Sequence, residues 1–168
     1  MILFGLVGST FAQKLDKTET RQLKFFLTQS AENGETNAAK LKVNDVNDVS
    51  KIEGLTVENG HVTSIKWNDK QLAGDLDLSS FKALKKVDVA RNNLSSVSVA
   101  NCSMLTDFNA SRNILTSVDF ANCSALKNVL IYKNRLTAIS LDAASLIETL
   151  NVSTNLIVEL NVSNLTAM

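Results

Sequence analysis

Residues 84–104 read LKKVDVARNNLSSVSVANCSM, and residues 105–125 read LTDFNASRNILTSVDFANCSA; the two align column for column. The register continues through Leu126 and Ile147 to Met168, so one pattern recurs every 21 residues. A fixed period of this size is the mark of a solenoid, in which each repeat is one coil stacked on its neighbours.

The columns give the physics of one coil. Leu84, Leu105, Leu126 and Ile147 open it. Val87, Phe108, Val129 and Leu150 follow, then Val89, Ala110, Ile131 and Val152. Apolar and polar residues alternate across these positions with the period of a strand. Next comes an amide in four successive units: Asn92, Asn113, Asn134 and Asn155. An amide turned into a solenoid must bond backbone groups of its own and adjacent coils, because orphaned groups cost ~1–3 kcal/mol per site. The column is therefore expected to be structural.

The second half of each unit echoes the first. Leu94, Leu115, Leu136 and Ile157 lead to Val97, Val118, Ile139 and Leu160, then to Val99, Phe120, Leu141 and Val162. Each unit thus holds two L-x-x-L-x-L half-repeats, of ten and eleven residues. The expected fold is mainly β, with extended backbone on both sides of every coil and little helix. These residues resemble the bacterial leucine-rich repeats, specifically the nested 21-residue type L-x-x-L-x-L-x-x-(N/C)-x-L, over about half of the chain. The resemblance implies a right-handed solenoid that binds partners and has no catalysis of its own.

Upstream, GLTVENGHVTSIKW sets Asn59-Gly60 between two alternating runs, a strong hairpin signal. Val62, Ile65, Trp67 and Leu72 fit the repeat template, with Lys70 in place of its Asn and Trp67 expected inside. An extra residue near Gly74 makes this unit 22 residues long. Residues 16–29, DKTETRQLKFFLTQ, are expected to be helical, capped by Asp16 with Glu19 or by Thr18, with Leu23, Phe26 and Leu27 on one face. A shorter helical piece is expected from Asn37 to Lys42. The segments GLTVENGHVTSI and LAGDLDLSSF are similar to the N-terminal caps of exported leucine-rich-repeat proteins of the Bacteroidetes. A cap is physically required, since the first coil otherwise leaves an apolar face open.

The opening residues, MILFGLVGSTFAQ, read as an export signal, with an apolar run and a small-residue cleavage site at Thr10-Phe11-Ala12. The alternative is a buried N-terminal strand. The run lacks a basic start, which places the true beginning upstream. The expected division is a leader at 1–12, a cap at 13–61 and repeats at 62–168, in units 62–83, 84–104, 105–125, 126–146 and 147–167. The final unit has no polar capping repeat after it. The sequence therefore reads as a piece of a longer protein whose last coil would self-associate edge to edge.

With 17 basic and 17 acidic residues, the chain carries no net charge, which argues against an electrostatically driven nucleic-acid binder. His61 is the single histidine, so a Ser-His-Asp constellation has only the hairpin turn to form on. The six glycines make no phosphate loop. Asp45, Asn47 and Asp48 hint at calcium but lack the ligand spacing, and a solvated loop is favoured. Cys102 and Cys123 lie 21 residues apart with no zinc-ligand spacing. In adjacent coils they are close enough for a disulfide in an exported protein, yet their apolar column favours two buried thiols. No cofactor, metal or catalytic residue is expected.

The outward columns are the candidate ligand face. One row is Ser64, Lys86, Asp107, Asn128 and Thr149; a second is Lys66, Asp88, Asn109, Leu130 and Asn151. Here Lys86 can pair with Asp107 and Lys66 with Asp88. A third row is Asn68, Ala90, Ser111, Tyr132 and Ser153. The fourth is Asp69, Arg91, Arg112, Lys133 and Thr154, with three like charges in succession. Long side chains splayed into water are one reading. An anion-facing stripe flanked by Tyr132 and Asn109 is the other. The candidate binding residues are thus Arg91, Arg112, Lys133, Tyr132, Asn109, Asp88 and Leu130. The expected function is an extracellular binding module that engages a protein, in adhesion for instance. The alternatives are a glycan-binding accessory of a larger exported enzyme or scaffold and, more weakly, a hydrolase.

Overall fold

A computed structural model of the chain describes residues 14–46, 48 and 52–167. The export leader read at 1–12, and Asn47 of the polar loop, lie outside the described residues. In chain order, a helix α1 (Lys17–Thr28), a short 3-10 turn (Glu32–Gly34) and a helix α2 (Asn37–Lys40) precede nine strands. These are β1 (Leu55–Glu58), β2 (His61–Lys66), β3 (Ala73–Asp77), β4 (Lys86–Asp88), β5 (Asn93–Ser98), β6 (Asp107–Asn109), β7 (Ser117–Asp119), β8 (Asn128–Leu130) and β9 (Thr149–Asn151).

The strands form two sheets, one on each side of the coils. The first has the order β1-β2-β4-β6-β8-β9, and the second β3-β5-β7. Every coil-to-coil pairing is parallel and in a 21- or 22-residue register, as in Val87 with Phe108 and Phe108 with Val129, except the start of β3 with β5, where Ala73 and Gly74 pair 20 residues on. The β1–β2 hairpin supplies the one antiparallel pair in these sheets and turns on Asn59-Gly60, where both residues take positive φ. Such turns favour this dipeptide because its residues tolerate that backbone. The fold is a leucine-rich-repeat solenoid with a small helical N-terminal part.

Between the sheets runs one apolar core, from Leu15 to Ile147. The opening leucines Leu84, Leu105 and Leu126 are completely buried, as is Trp67. Phe108 and Phe120 meet edge to face at 5.0 Å across one coil. The thiols of Cys102 and Cys123 are free and buried, each donating to a backbone carbonyl of the preceding coil, Leu78 and Val99 respectively.

The asparagine column joins the coils. The Asn113 Nδ2 group donates to Val89 O at 3.0 Å in the coil before and to Ala110 O at 3.1 Å in its own coil. Its Oδ1 accepts the Leu94 N–H at 3.0 Å. Asn134 repeats the arrangement with Ala110 O, Ile131 O and Leu115 N, and Asn155 with Ile131 O, Val152 O and Leu136 N. Asn92 does the same toward Trp67 O, Val89 O and Leu72 N. One carbonyl, Val89 O, thus takes amides from two successive coils.

The N-terminal cap is fastened by imitation of this bonding. Asn37 donates to Phe26 O and Ala73 O and accepts from Ala73 N. The Gln29 side chain accepts from Asp75 N and donates to Asp75 O, both at 2.8 Å, and so occupies the edge of β3 as a strand would. This is why the first unit needs its extra residue. The register shifts between Gly74 and Asp75, and Gly74 has φ +87°; a Cβ there would sit 2.0 Å from Gln29 Oε1. Asp16 caps α1 through the Thr18 and Glu19 N–H groups, and Phe26 stacks on Trp67 at 5.8 Å. Buried Glu19 accepts from Val62 N at 2.8 Å and meets His61 Nδ1 at 3.0 Å, so the single histidine latches helix to hairpin.

The expectation of extended backbone on both sides of every coil holds more fully for the first side than for the second. The second ladder ends at β7, and residues 137–141 and 158–162 form no strand. There the coils part, and a cleft of about 400 Å³ opens between 118–122 and 140–143. Burial also fades toward the last coil: Ile147 is fully buried, Leu150, Val152, Ile157 and Leu160 are half-buried, and Val162 is exposed.

Two expectations follow. Asn113→Ala removes three backbone partners at once and should lower stability by ~1–3 kcal/mol, read from the urea midpoint. The thiols test the core differently. Burial pushes Cys102 up to about 12, with the nearby Cys123 adding to the shift, and pushes Cys123 up to about 11, from an ordinary 9.0. Below 9.0 both states keep the protons; above it the unfolded thiols ionise first, so stability should fall as pH rises from about 9 toward 12. Native protein at pH 8 should resist alkylation at both thiols and react promptly in denaturant.

Candidate functional site

The outward face of the six-stranded sheet is built from short strands. In β4, β6, β8 and β9 the central residue points into the core, and its two neighbours face solvent. Those neighbours are the first two rows read from the sequence. They line a depression of about 310 Å³ that extends from Ser64 and Lys66 across Lys86, Asp107 and Asn109 to Asn128 and Leu130. Most outward residues that line it are polar by type, Leu130 being the apolar one among Asn109, Asn128 and Asp107, while the surface they leave open is mainly apolar.

The floor is electrostatically settled at Asp107. Burial pushes its carboxyl up, but hydrogen bonds from Thr106 and Asn128 and the Lys86 charge outweigh that and hold it below the ordinary range. The Asn128 amide donates to it at 2.8 Å, and Lys86 Nζ lies 3.4 Å away. No ion pair joins Lys66 and Asp88 among the described residues. Asp88 instead accepts the Ala90 N–H at 3.2 Å. Asn109 and Asn151 accept from Ser111 and Ser153 in the same way, through both backbone N–H and hydroxyl. These are Asx turns, in which a short polar side chain bonds its own backbone two residues on. They follow β4, β6 and β9, whereas β8 also stops after three residues at Leu130, which has no side-chain acceptor.

That ending relocates two of the four rows. The rows of Tyr132 and of Arg91, Arg112 and Lys133 are not on strands but on the turn that follows them. Asp69, Arg91, Arg112, Lys133 and Thr154 all hold left-handed backbone, with φ between 55° and 58°. The N–H groups of the first four bond the next coil, as Arg112 N does with Tyr132 O at 2.9 Å. A non-glycine residue pays roughly 1–2 kcal/mol for this conformation, and asparagine bears it best. The turn on the opposite side makes the same demand at Asn101 and Asn122, and there the sequence supplies asparagine. On the ligand-face turn it supplies three long basic residues, all exposed.

The Arg112 guanidinium lies over the Tyr132 ring at 5.8 Å. Hydrogen bonding from Arg112 and Ser111, with the positive charge of Arg112 and Arg91, holds the Tyr132 phenol below its ordinary value. No ion pair involves Arg91, Arg112 or Lys133 among the described residues. The structure therefore brings all seven candidate residues to one sheet face and its C-terminal rim. Sequence columns missed the positive φ of the basic row, whose residues each stand immediately before an interior amide.

Fold and face together define a leucine-rich-repeat solenoid with a polar, partly apolar-floored face on its regular sheet. No protein-family model matches the sequence, and no curated protein matches it. Among solved structures it is similar to the functional domain of InlJ from Listeria monocytogenes, described as including a cysteine ladder. The identity is 20% and the TM-score 0.43, over 68% of this chain and 32% of that one. The chain spans about a third of that chain's length.

Lys133 gives a check on the turn that does not depend on any ligand. Lys133→Asn should raise stability by up to about 1 kcal/mol, because asparagine suits the left-handed backbone better. Paired urea titrations of the two proteins measure this.

Proposed function

We propose that this protein is a non-catalytic interaction module that works outside the cell, holding a partner protein against the exposed face of the six-stranded sheet in an adhesive role. The observation behind this reading is the contrast between the two faces of each strand. The inward column is spent entirely on packing, whereas the outward rows change chemistry from coil to coil and enclose the depression ending at Leu130. A face that is regular in backbone and irregular in side chains offers shape and charge without a reacting group. An apolar Leu130 among polar outward residues fits the apolar centre and polar rim of a protein interface. The leader pattern at 1–12 supports export, and no described helix is long and apolar enough to cross a membrane.

An array of extracellular proteins and glycans tests the reading. Protein spots should capture the chain, and Leu130→Lys should weaken that capture roughly tenfold while unfolding at the wild-type urea midpoint. An unchanged pattern with Leu130→Lys, or capture by glycans alone, would overturn it.

A further inference from the structure

The basic row deserves its own explanation, because neither packing nor backbone preference supplies one. Apart from the Arg112 guanidinium over the Tyr132 ring, these exposed side chains take no part in packing. The backbone at φ 56–57° would be better served by asparagine, as at Asn101 and Asn122. Three successive departures from the locally favoured residue, in one column, are the kind of local inconsistency that marks a functional position. Like charges one coil apart also repel, and no ion pair relieves them among the described residues.

We infer that Arg91, Arg112 and Lys133 form a cationic strip that takes a short acidic segment of the partner protein, laid along the solenoid axis at the rim of the sheet. This rests on the interaction-module reading and adds to it the chemistry of the partner. Adjacent coils lie about 4.8 Å apart, so the strip is roughly 10 Å long. Same-face side chains of an extended peptide recur about every 6.6–6.8 Å, so two carboxylates at alternate positions fit within it. The row also has a direction. Asp69 stands before Arg91, and neutral Thr154 follows Lys133. An acidic pair is therefore repelled beyond the first end and loses attraction beyond the last, whereas a basic residue just outside the pair is welcome beside Asp69. Arginine suits such a site because its fork can bond a carboxylate bidentately.

Fluorescence anisotropy with labelled hexaglutamate, against labelled hexaglutamine and polygalacturonate, tests the strip on the full chain. Hexaglutamate should bind, hexaglutamine should not, and added salt should weaken the complex. The triple variant R91N/R112N/K133N should lose affinity roughly tenfold and unfold at an equal or higher urea concentration. The single variant R91N should lose about threefold, which keeps the test available should the triple variant misfold. Wild-type affinity in these variants, equal loss in the off-row control K82N, or tighter binding of polygalacturonate would each overturn the assignment. Leu130→Lys separates this inference from the reading beneath it. If that change removes the array partner while the triple variant keeps it, the interaction face stands and the strip falls.

Discussion

A solenoid has no closure: each coil is held by the two beside it and by nothing further away. The joint here is the asparagine amide. Its acceptor takes an N–H from the previous coil, and its donor serves one carbonyl in that coil and one in its own, as with Asn113 between Leu94 N, Val89 O and Ala110 O. The backbone must leave the strand ladder here to turn the corner, so these groups cannot be satisfied by strand pairing. Buried and unpaired, each would cost more than a typical hydrogen bond returns. The amide lets the chain turn inside a dry interior, and the leucine columns then have a fixed frame to pack in.

The cap obeys the same constraint with different parts. A helix interior has no free backbone groups to offer the edge of β3, so side-chain amides stand in for a strand. Gln29 pairs with both backbone groups of Asp75, and Asn37 presents to Ala73 the pattern that the column asparagines present to the later coils. That substitution sets the shape of the first unit. Close approach of Gln29 excludes a Cβ at position 74, and the residue inserted there is a glycine at φ +87°. The Phe26–Trp67 stack then covers the apolar end that the amides hold in place.

These arrangements were unequally legible in the sequence. The period, the two sheets and the interior columns could be read because each is a repetition, and repetition turns one ambiguous residue into a column. The Asn59-Gly60 hairpin could be read because few other dipeptides adopt that backbone. Asn37 and Gln29 could not, since each acts once and through contacts 36 and 46 residues away. The end of the second ladder at β7 was also hidden: Ile139 and Leu141 keep the same apolar pattern where the strand pairing has stopped. At the candidate face, columns counted in the sequence put two rows on a strand where the structure has a turn. Columns counted outward from a strand cannot show that Asp88 and Asn109 fold back on their own backbone and end it.

That early ending has a further consequence for the rim. Because these strands stop after three residues, the next positions carry their side chains on a turn whose backbone is bonded to the following coil. Arg91, Arg112 and Lys133 each donate N–H to the residue one coil ahead, at 2.9 Å. Their main chain is therefore as fixed as a strand while their long side chains stay in solvent. A left-handed residue in a loose loop could relax out of its strained conformation; one pinned between coils cannot. The interior amides beside them, Asn92, Asn113 and Asn134, supply the stability that lets the strained residues persist. The same corner of each coil thus carries the strongest structural bond and the least favourable backbone, one residue apart.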